Sequence, residues 1–246
     1  MELFLTFAFL FFIGSVVGWG MELVYRRFFS AANPDRKWIN PGFCVGPYIP
    51  LYGVGLCLLF LLASLEGYIP MTHPIWKKVT LFAIMAVCMT VLEYITGLFC
   101  LKVLKVRLWD YSKVRWNLQG IICPRFSLYW AILGALYYFF IHPHILNALA
   151  WLARNQTFSF VVGMFFGVFI LDVVHSARLV AKIKKFADDY EVIVRYEHLK
   201  ANIRRRYEDT KETYHFFRPF RSDRPLAEHI RKMRDSLEKR KRKPKG

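Results

Sequence analysis

The sequence predicts an all-α fold, a polytopic membrane bundle of about five transmembrane helices carrying a cytoplasmic helical basic tail. Three observations predict it. Hydrophobic residues make up 55% of the 246-residue chain. Five apolar windows approach the roughly 20 residues that a helix needs to cross the hydrocarbon core of a bilayer. The charge is segregated: residues from Arg178 onward hold 22 Lys and Arg against 11 Asp and Glu, and the first 177 residues hold 13 against 7.

The five windows are residues 3–24, 48–65, 79–101, 126–141 and 157–179, the fourth being the shortest. The first has no basic stretch before it, is too long for a signal-peptide core and lacks a small-residue cleavage site, so it is expected to stay as an anchor. Basic residues cluster in the first loop (Arg26, Arg27, Arg36, Lys37) and the third, which holds six from Lys102 to Arg125. The second loop has only Lys77 and Lys78, and the fourth only Arg154. Basic loops are retained on the cytoplasmic side, so the N-terminus is expected outside and the C-terminus in the cytoplasm of a cell-membrane protein. Residues 1–179 then form the membrane domain and 180–246 the tail.

In the tail, Ile183, Ala187, Tyr190 and Val194 recur at helical spacing, which predicts that the fifth span continues to about Tyr207. A second short helix is expected between Leu226 and Leu237, and a disordered basic run from Lys239 to Lys245. A basic tail beside a bilayer reads first as retention next to anionic headgroups, ahead of nucleic-acid binding. It could equally pair with a partner protein or a second copy of the chain.

An internal repeat is suggested. Glu22 near the end of the first span is followed by Trp38-x-x-x-Gly42, and Glu93 near the end of the third by Trp116-x-x-x-Gly120. Spans one and three run in the same direction, so the halves would be parallel repeats about an axis along the membrane normal. The unequal spacing between Glu and Trp leaves chance as the alternative.

An ionisable side chain at the centre of a spanning helix costs about 2.5–3.5 kcal/mol on insertion scales, so each one inside a span is a candidate for function. Glu93 is the foremost, because the next charge, Lys102, lies nine residues further on, about 13 Å at the helical rise. Either it faces a polar interior or it is a packing carboxylate paired with a neighbour such as Arg125. Glu22 has Arg26 at i+4, the spacing of an ordinary helix-surface ion pair. Asp172, His175 and Ser176 share a face near the end of span five, either closing a polar cavity with Glu93 or reaching interfacial water.

Two connecting stretches add candidates. Residues 40–53 are too apolar for a solvated loop and too rich in Gly and Pro for a regular helix. Irregular backbone at membrane depth needs protein or a water-filled cavity around it, so this stretch is expected to be buried. The second, from Trp109 to Gly120, sets Asp110 and Asn117 among interfacial aromatics, and a plain aromatic belt is its alternative.

Gly14-x-x-x-Gly18 and Gly163-x-x-x-Gly167 have the small-residue spacing of close helix packing. His73, His142 and His144 are assigned to outer loops, and no metal site or cofactor is expected. Cys44, Cys57, Cys88, Cys100 and Cys123 are odd in number with no C-x-x-C, so no disulfide framework follows. The chain lacks G-x-x-x-x-G-K-[ST], H-E-x-x-H and G-x-S-x-G, and so carries no P-loop or familiar hydrolase site of its own.

These motifs, in this order, resemble a bacterial family of multi-pass membrane proteins described as ABC-transporter type IV permeases and called CmpB-like. The resemblance lies in Gly18-Trp19 with Glu22, the Gly-Pro-Tyr-x-Pro-x-Tyr-Gly pattern of residues 46–53, Leu92-Glu93-Tyr94-x-Thr96-Gly97, Trp109-Asp110-Tyr111-Ser112, Asn117-Leu118-x-Gly120-x-Ile122-Cys123 and Asp172-x-x-x-Ser176. It covers roughly residues 10–178. The chain departs from the expected pattern at Pro41 and Ile121, where a basic residue would stand, and in its long basic tail. The resemblance implies a permease-like subunit of a transport system, served by a separate ATP-binding subunit.

Glu22, Glu93, Arg125, Asp172 and His175, with Asp110 and Asn117 nearby, are therefore expected to line a polar, cytoplasm-facing cavity roofed by the Gly/Pro-rich stretch. Two rivals remain at this stage: an intramembrane enzyme acting on lipid headgroups, with Asp172 and His175 or Asp110 as acid and base, and a non-catalytic scaffold or sensor recruiting partners through its tail. Homo-oligomerisation is compatible with all three.

Overall fold

The computed structural model describes residues 3–30, 33, 36–42, 44–70, 73–189 and 193–195. Helix α1 (Leu3–Phe28) leads through an irregular segment to α2 (Pro50–Ser64), which ends in a 3₁₀ turn at Leu65–Tyr68. Helix α3 (Pro74–Lys102) is followed by a loop carrying the two-residue strand β1 (Val106–Arg107). Helix α4 (Pro124–Leu136) continues through a π-helical turn, Tyr137–Ile141, into α5 (His142–Arg154), and a 3₁₀ turn at Gln156–Phe158 opens α6 (Ser159–Asp189). Strand β2 (Val194–Arg195) lies parallel to β1, Val106 opposite Val194.

Among the described residues five helical stretches are long and apolar enough to cross a membrane: Leu3–Phe28, Pro50–Tyr68, Pro74–Lys102, Pro124–Arg154 and Gln156–Lys185. The protein is an all-α, multi-pass membrane bundle. Proline stands in the first turn of α2, α3, α4 and α5, where its missing N–H is no loss and its fixed φ suits helix entry.

Three sequence expectations need correction. The fourth span does not end near residue 141 but runs to Arg154, so His142 and His144 sit in a helix rather than an outer loop. At 31 residues it would be about 46 Å long if straight, and the π turn interrupts it just before Pro143, whose ring cannot follow a regular preceding turn. The Tyr137 hydroxyl meets His142 Nδ1 at 2.8 Å across that turn. The described part of the helix after span five ends at Asp189, and Val194–Arg195 form β2 against the third loop, so a strand stands within the helix expected to run to about Tyr207. The helix expected at 226–237 and the terminal basic run lie outside the described residues.

The bundle is apolar at one end and polar at the other. Phe9 and Leu10 of α1, Leu59 and Leu62 of α2, Leu81 and Met85 of α3, Leu149 and Leu152 of α5 and Val162 of α6 form one buried cluster. At the opposite end lie the C-terminal turns of α1, α3 and α6, together with both basic loops, tied to one another by the bonds described below.

Helices α1 and α2 approach closely because small residues line their contact. A Cβ on Gly14 would meet Leu56 and the Tyr52 carbonyl, one on Gly18 would overlap the Tyr52 ring, and one on Gly53 would meet Ser15 and Phe11. Gly163 and Gly167, in contrast, have no atom within 4 Å of a Cβ position. Among the described residues the same spacing thus performs close packing in α1 and none in α6.

Candidate functional site

The polar end of the bundle begins with the irregular segment between α1 and α2. Pro41, Cys44 and Tyr48 within it are buried, as expected for non-helical backbone in an apolar chain. The irregular part stops at Ile49, and Pro50 to Gly53 are already helical. Asn40 organises it: its side-chain amide donates to the carbonyls of Cys44 (3.1 Å) and Val45 (2.8 Å), and its Oδ1 accepts from Trp19 Nε1 at 2.6 Å. Gly42 adopts φ +74°, the left-handed region that glycine enters without steric cost.

Asp172 of α6 is the anchor of this segment. Its carboxylate accepts from the backbone N–H groups of Val45 (3.1 Å) and Gly46 (2.7 Å), from the Tyr48 hydroxyl and from Ser176 Oγ (3.0 Å). The Tyr48 ring packs against Phe165 and Phe169, with centroids 5.6 and 5.3 Å away, so residues 165, 169, 172 and 176 of one α6 face all serve the same contact. Burial pushes the Tyr48 phenol upward, and the hydrogen bond to Asp172 pushes it further, so Tyr48 acts as a donor. His175 is half-buried and is not among the partners of Asp172.

A second network runs through the middle of the polar end. Glu22 of α1 accepts from Arg26 Nε at 2.9 Å and from the Tyr52 hydroxyl of α2 at 3.1 Å. Glu93 of α3, 4% exposed, accepts from Trp130 Nε1 of α4 at 3.0 Å and from the Tyr111 hydroxyl at 3.2 Å. The Tyr52 and Trp130 rings adjoin at 5.5 Å, and the two carboxylates are near enough for their charges to interact. Arg125 is not the partner of Glu93: it is exposed and donates to the Tyr129 hydroxyl at 3.3 Å.

The third loop is a compact plug. Arg107 pairs with Asp110 at 2.9 Å, and Ser112 adds a backbone N–H (3.0 Å) and its hydroxyl to the same carboxylate. Burial raises the Asp110 carboxyl, but these donors and the Arg107 charge outweigh it and leave the group below its ordinary value. Asn117 donates to the carbonyls of Ser112 and Val114 and accepts from the Gly120 N–H at 2.9 Å. Gly120 has φ +68°, and a side chain there would collide with Arg107 and Ser112. Trp109 Nε1 donates to the Ile121 carbonyl at 2.8 Å, and both side chains sit against Gly97 of α3. Tyr111 stacks on Phe126 at 4.1 Å, and burial with the Glu93 charge beside it keeps its phenol protonated.

The arrangement therefore joins Glu22 and Glu93 in one network, gives Asp172 a separate clamp, and leaves Asp110 and Asn117 as the internal braces of a loop. Sequence reasoning missed Tyr52, Tyr111 and Trp130, the donors that hold the carboxylates. One signal was available: with Gly42 aligned on Gly120, Tyr52 and Trp130 fall at the same position, ten residues further on. Among the described residues no group of three or more His, Cys, Asp or Glu is placed to hold a metal, and none of the five cysteines forms a disulfide.

Residues 9–177 match the family described as "Putative ABC-transporter type IV". The chain belongs to this family. The matched region spans α1 to the part of α6 that carries Asp172 and Ser176, and so contains both carboxylate clusters and both loops. Neither a curated protein nor a solved structure matches the chain. The protein is thus a multi-pass membrane member of a transport-associated family.

Proposed function

We propose that this ABC-transporter type IV family member is a permease-like subunit of a transport system, residing in the cell membrane with its N-terminus outside and its C-terminus in the cytoplasm. The observation that carries the reading is the continuous network from Glu22 through Tyr52 and Trp130 to Glu93 and Tyr111. It links α1, α2, α3, α4 and the third loop through polar groups at the polar end of the bundle. Carboxylates within spanning helices are costly, and those that persist there mark candidate functional sites.

The basic loops meet at the network end of the bundle, which supports a cytoplasmic side there by the retention of Lys and Arg. In this reading residues 1–179 form the membrane domain, residues 180–246 form a basic appendix, and a separate ATP-binding subunit docks at the loop end. The pairing of β2 with β1 favours the appendix as part of that docking face, and it is also what a scaffold that recruits partners through its tail would need.

The test is purification in a gentle detergent, asking whether an ATP-binding protein accompanies the chain and whether its ATPase rate responds to candidate cargo. Reconstituted flux that survives both Glu93→Gln and Asp172→Asn unchanged would remove the carboxylates from the transport path.

A further inference from the structure

The two halves of the bundle make the same contact with different counter-charges. In the first, Glu22 accepts from an aromatic donor of the following helix, Tyr52, and also from Arg26 one turn later. In the second, Glu93 accepts from the matching donor, Trp130, but the position one turn later is Gly97. The space beside Gly97 is filled by Ile121 and Trp109, so no arginine could stand there. Among the described residues Glu93 is left with two donors, a phenol and an indole, both neutral.

A buried carboxylate held by two neutral donors has the desolvation of its charge offset only in part, and the Tyr111 hydroxyl, which can accept as well as donate, can take the O–H of the acid. Neutral hydrogen bonds offset part of the desolvation of the charge, and a compensating cation is the usual remainder. Among the described residues the titratable groups that bear on Glu93 are Glu22 of α1, Tyr52 of α2 and Tyr111 of the third loop, with Arg26 of α1 beside Glu22 and Tyr52. The cation among these described groups, Arg26, is bonded to Glu22. The close fit of Trp130, Tyr111, Ile121 and Trp109 around this turn of α3 favours the smallest cation.

We propose that Glu93 is a proton-binding site: its carboxylate takes up one proton from water to become a carboxylic acid and returns the same proton when the polar end opens. Glu22, paired with Arg26, is its counterpart in the other half. The inference rests on the transport reading for what the proton would drive, but its detection does not.

The experiment uses the purified full chain in liposomes, with protons alone as the probe, and records pH-induced infrared difference spectra. The interval runs from below the ordinary glutamate value of about 4.3 to above the roughly 8–9 reached by buried ones. The expected result is a protonated carboxylic C=O band that is lost in Glu93→Gln, retained in Glu22→Gln and shifted in frequency in Glu93→Asp. The Asp variant keeps the test open if the Gln variant does not fold. A band that persists in Glu93→Gln, or one lost in Glu22→Gln instead, overturns the proposal. Cargo flux measured on the same liposomes separates the two readings: flux without the Glu93 band defeats the proton site alone, and the band without flux of any cargo leaves the proton site standing and defeats transport.

Discussion

Tyr52 and Trp130 lie side by side, ring centroids 5.5 Å apart, and each donates to a glutamate on the helix that precedes its own, Tyr52 to Glu22 and Trp130 to Glu93. The pair is the seam between the halves α1–α2 and α3–α4. Removing the two donors should not be equivalent, because Glu22 keeps Arg26 and Glu93 keeps only Tyr111. Trp130→Phe is expected to destabilise the bundle by about 1–3 kcal/mol, the cost of an under-satisfied buried acceptor, and Tyr52→Phe by about 1 kcal/mol. Thermal unfolding in detergent at neutral pH would rank them, and an equal or reversed ranking would mean that Arg26 does not compensate Glu22.

That asymmetry also shows how far the sequence could be read. The spans follow from apolar length, and the interest of Glu22, Glu93 and Asp172 follows from their depth in those spans. Their partners could not follow in the same way. Trp130 lies 37 residues from Glu93, and Val45 lies 127 from Asp172; no local periodicity links such positions, and the Asp172 clamp uses backbone N–H groups that carry no residue signature. The end of the fourth span was illegible for another reason. His142 and Pro143 read as loop residues, whereas the buried stripe Ile145, Leu149 and Leu152 holds a helix beyond them.

The clamp at Asp172 leads to a second prediction. Asp172→Ala would leave the Val45 and Gly46 N–H groups and the Tyr48 hydroxyl without their acceptor, while α6 itself would lose only the Ser176 bond. The expected outcome is local: faster amide hydrogen exchange in residues 44–49, with α3 and α4 protected as before, and a loss of about 1–3 kcal/mol in overall stability. Ser176→Ala, which removes one of four donors, should cost about 1 kcal/mol. Uniformly faster exchange across the whole bundle would show that Asp172 supports the fold at large and not this segment.

Asp110 sets a pH limit on the third loop. Its carboxyl is held below the ordinary value in the folded chain by Ser112 and Arg107, so the unfolded state binds the proton more readily. The bonds therefore contribute fully above the unfolded value of about 3.9 and fade as pH falls through the lower folded one. Protease cleavage within residues 106–122 should rise below about pH 4 in the wild-type chain. In Asp110→Asn, cleavage should already be raised at neutral pH and change little on acidification. Acid sensitivity undiminished in that variant would assign it to a different carboxylate.

The two Gly-x-x-x-Gly segments offer the sharpest contrast. On Gly18, a methyl group would occupy the position of the Tyr52 ring, and on Gly14 it would press on the backbone of α2. Displacing Tyr52 also displaces its hydroxyl from Glu22, so overpacking and a lost hydrogen bond act together. Gly18→Ala is expected to destabilise the bundle by about 1–3 kcal/mol. Gly163→Ala and Gly167→Ala meet open space and replace glycine in a helix interior, a change that favours the helix by about 1 kcal/mol. Unfolding midpoints of the three variants in the same detergent should fall for Gly18→Ala and hold or rise for the other two. A fall at Gly163 or Gly167 as large as that at Gly18 would mean that α6 packs there against a surface other than the described residues.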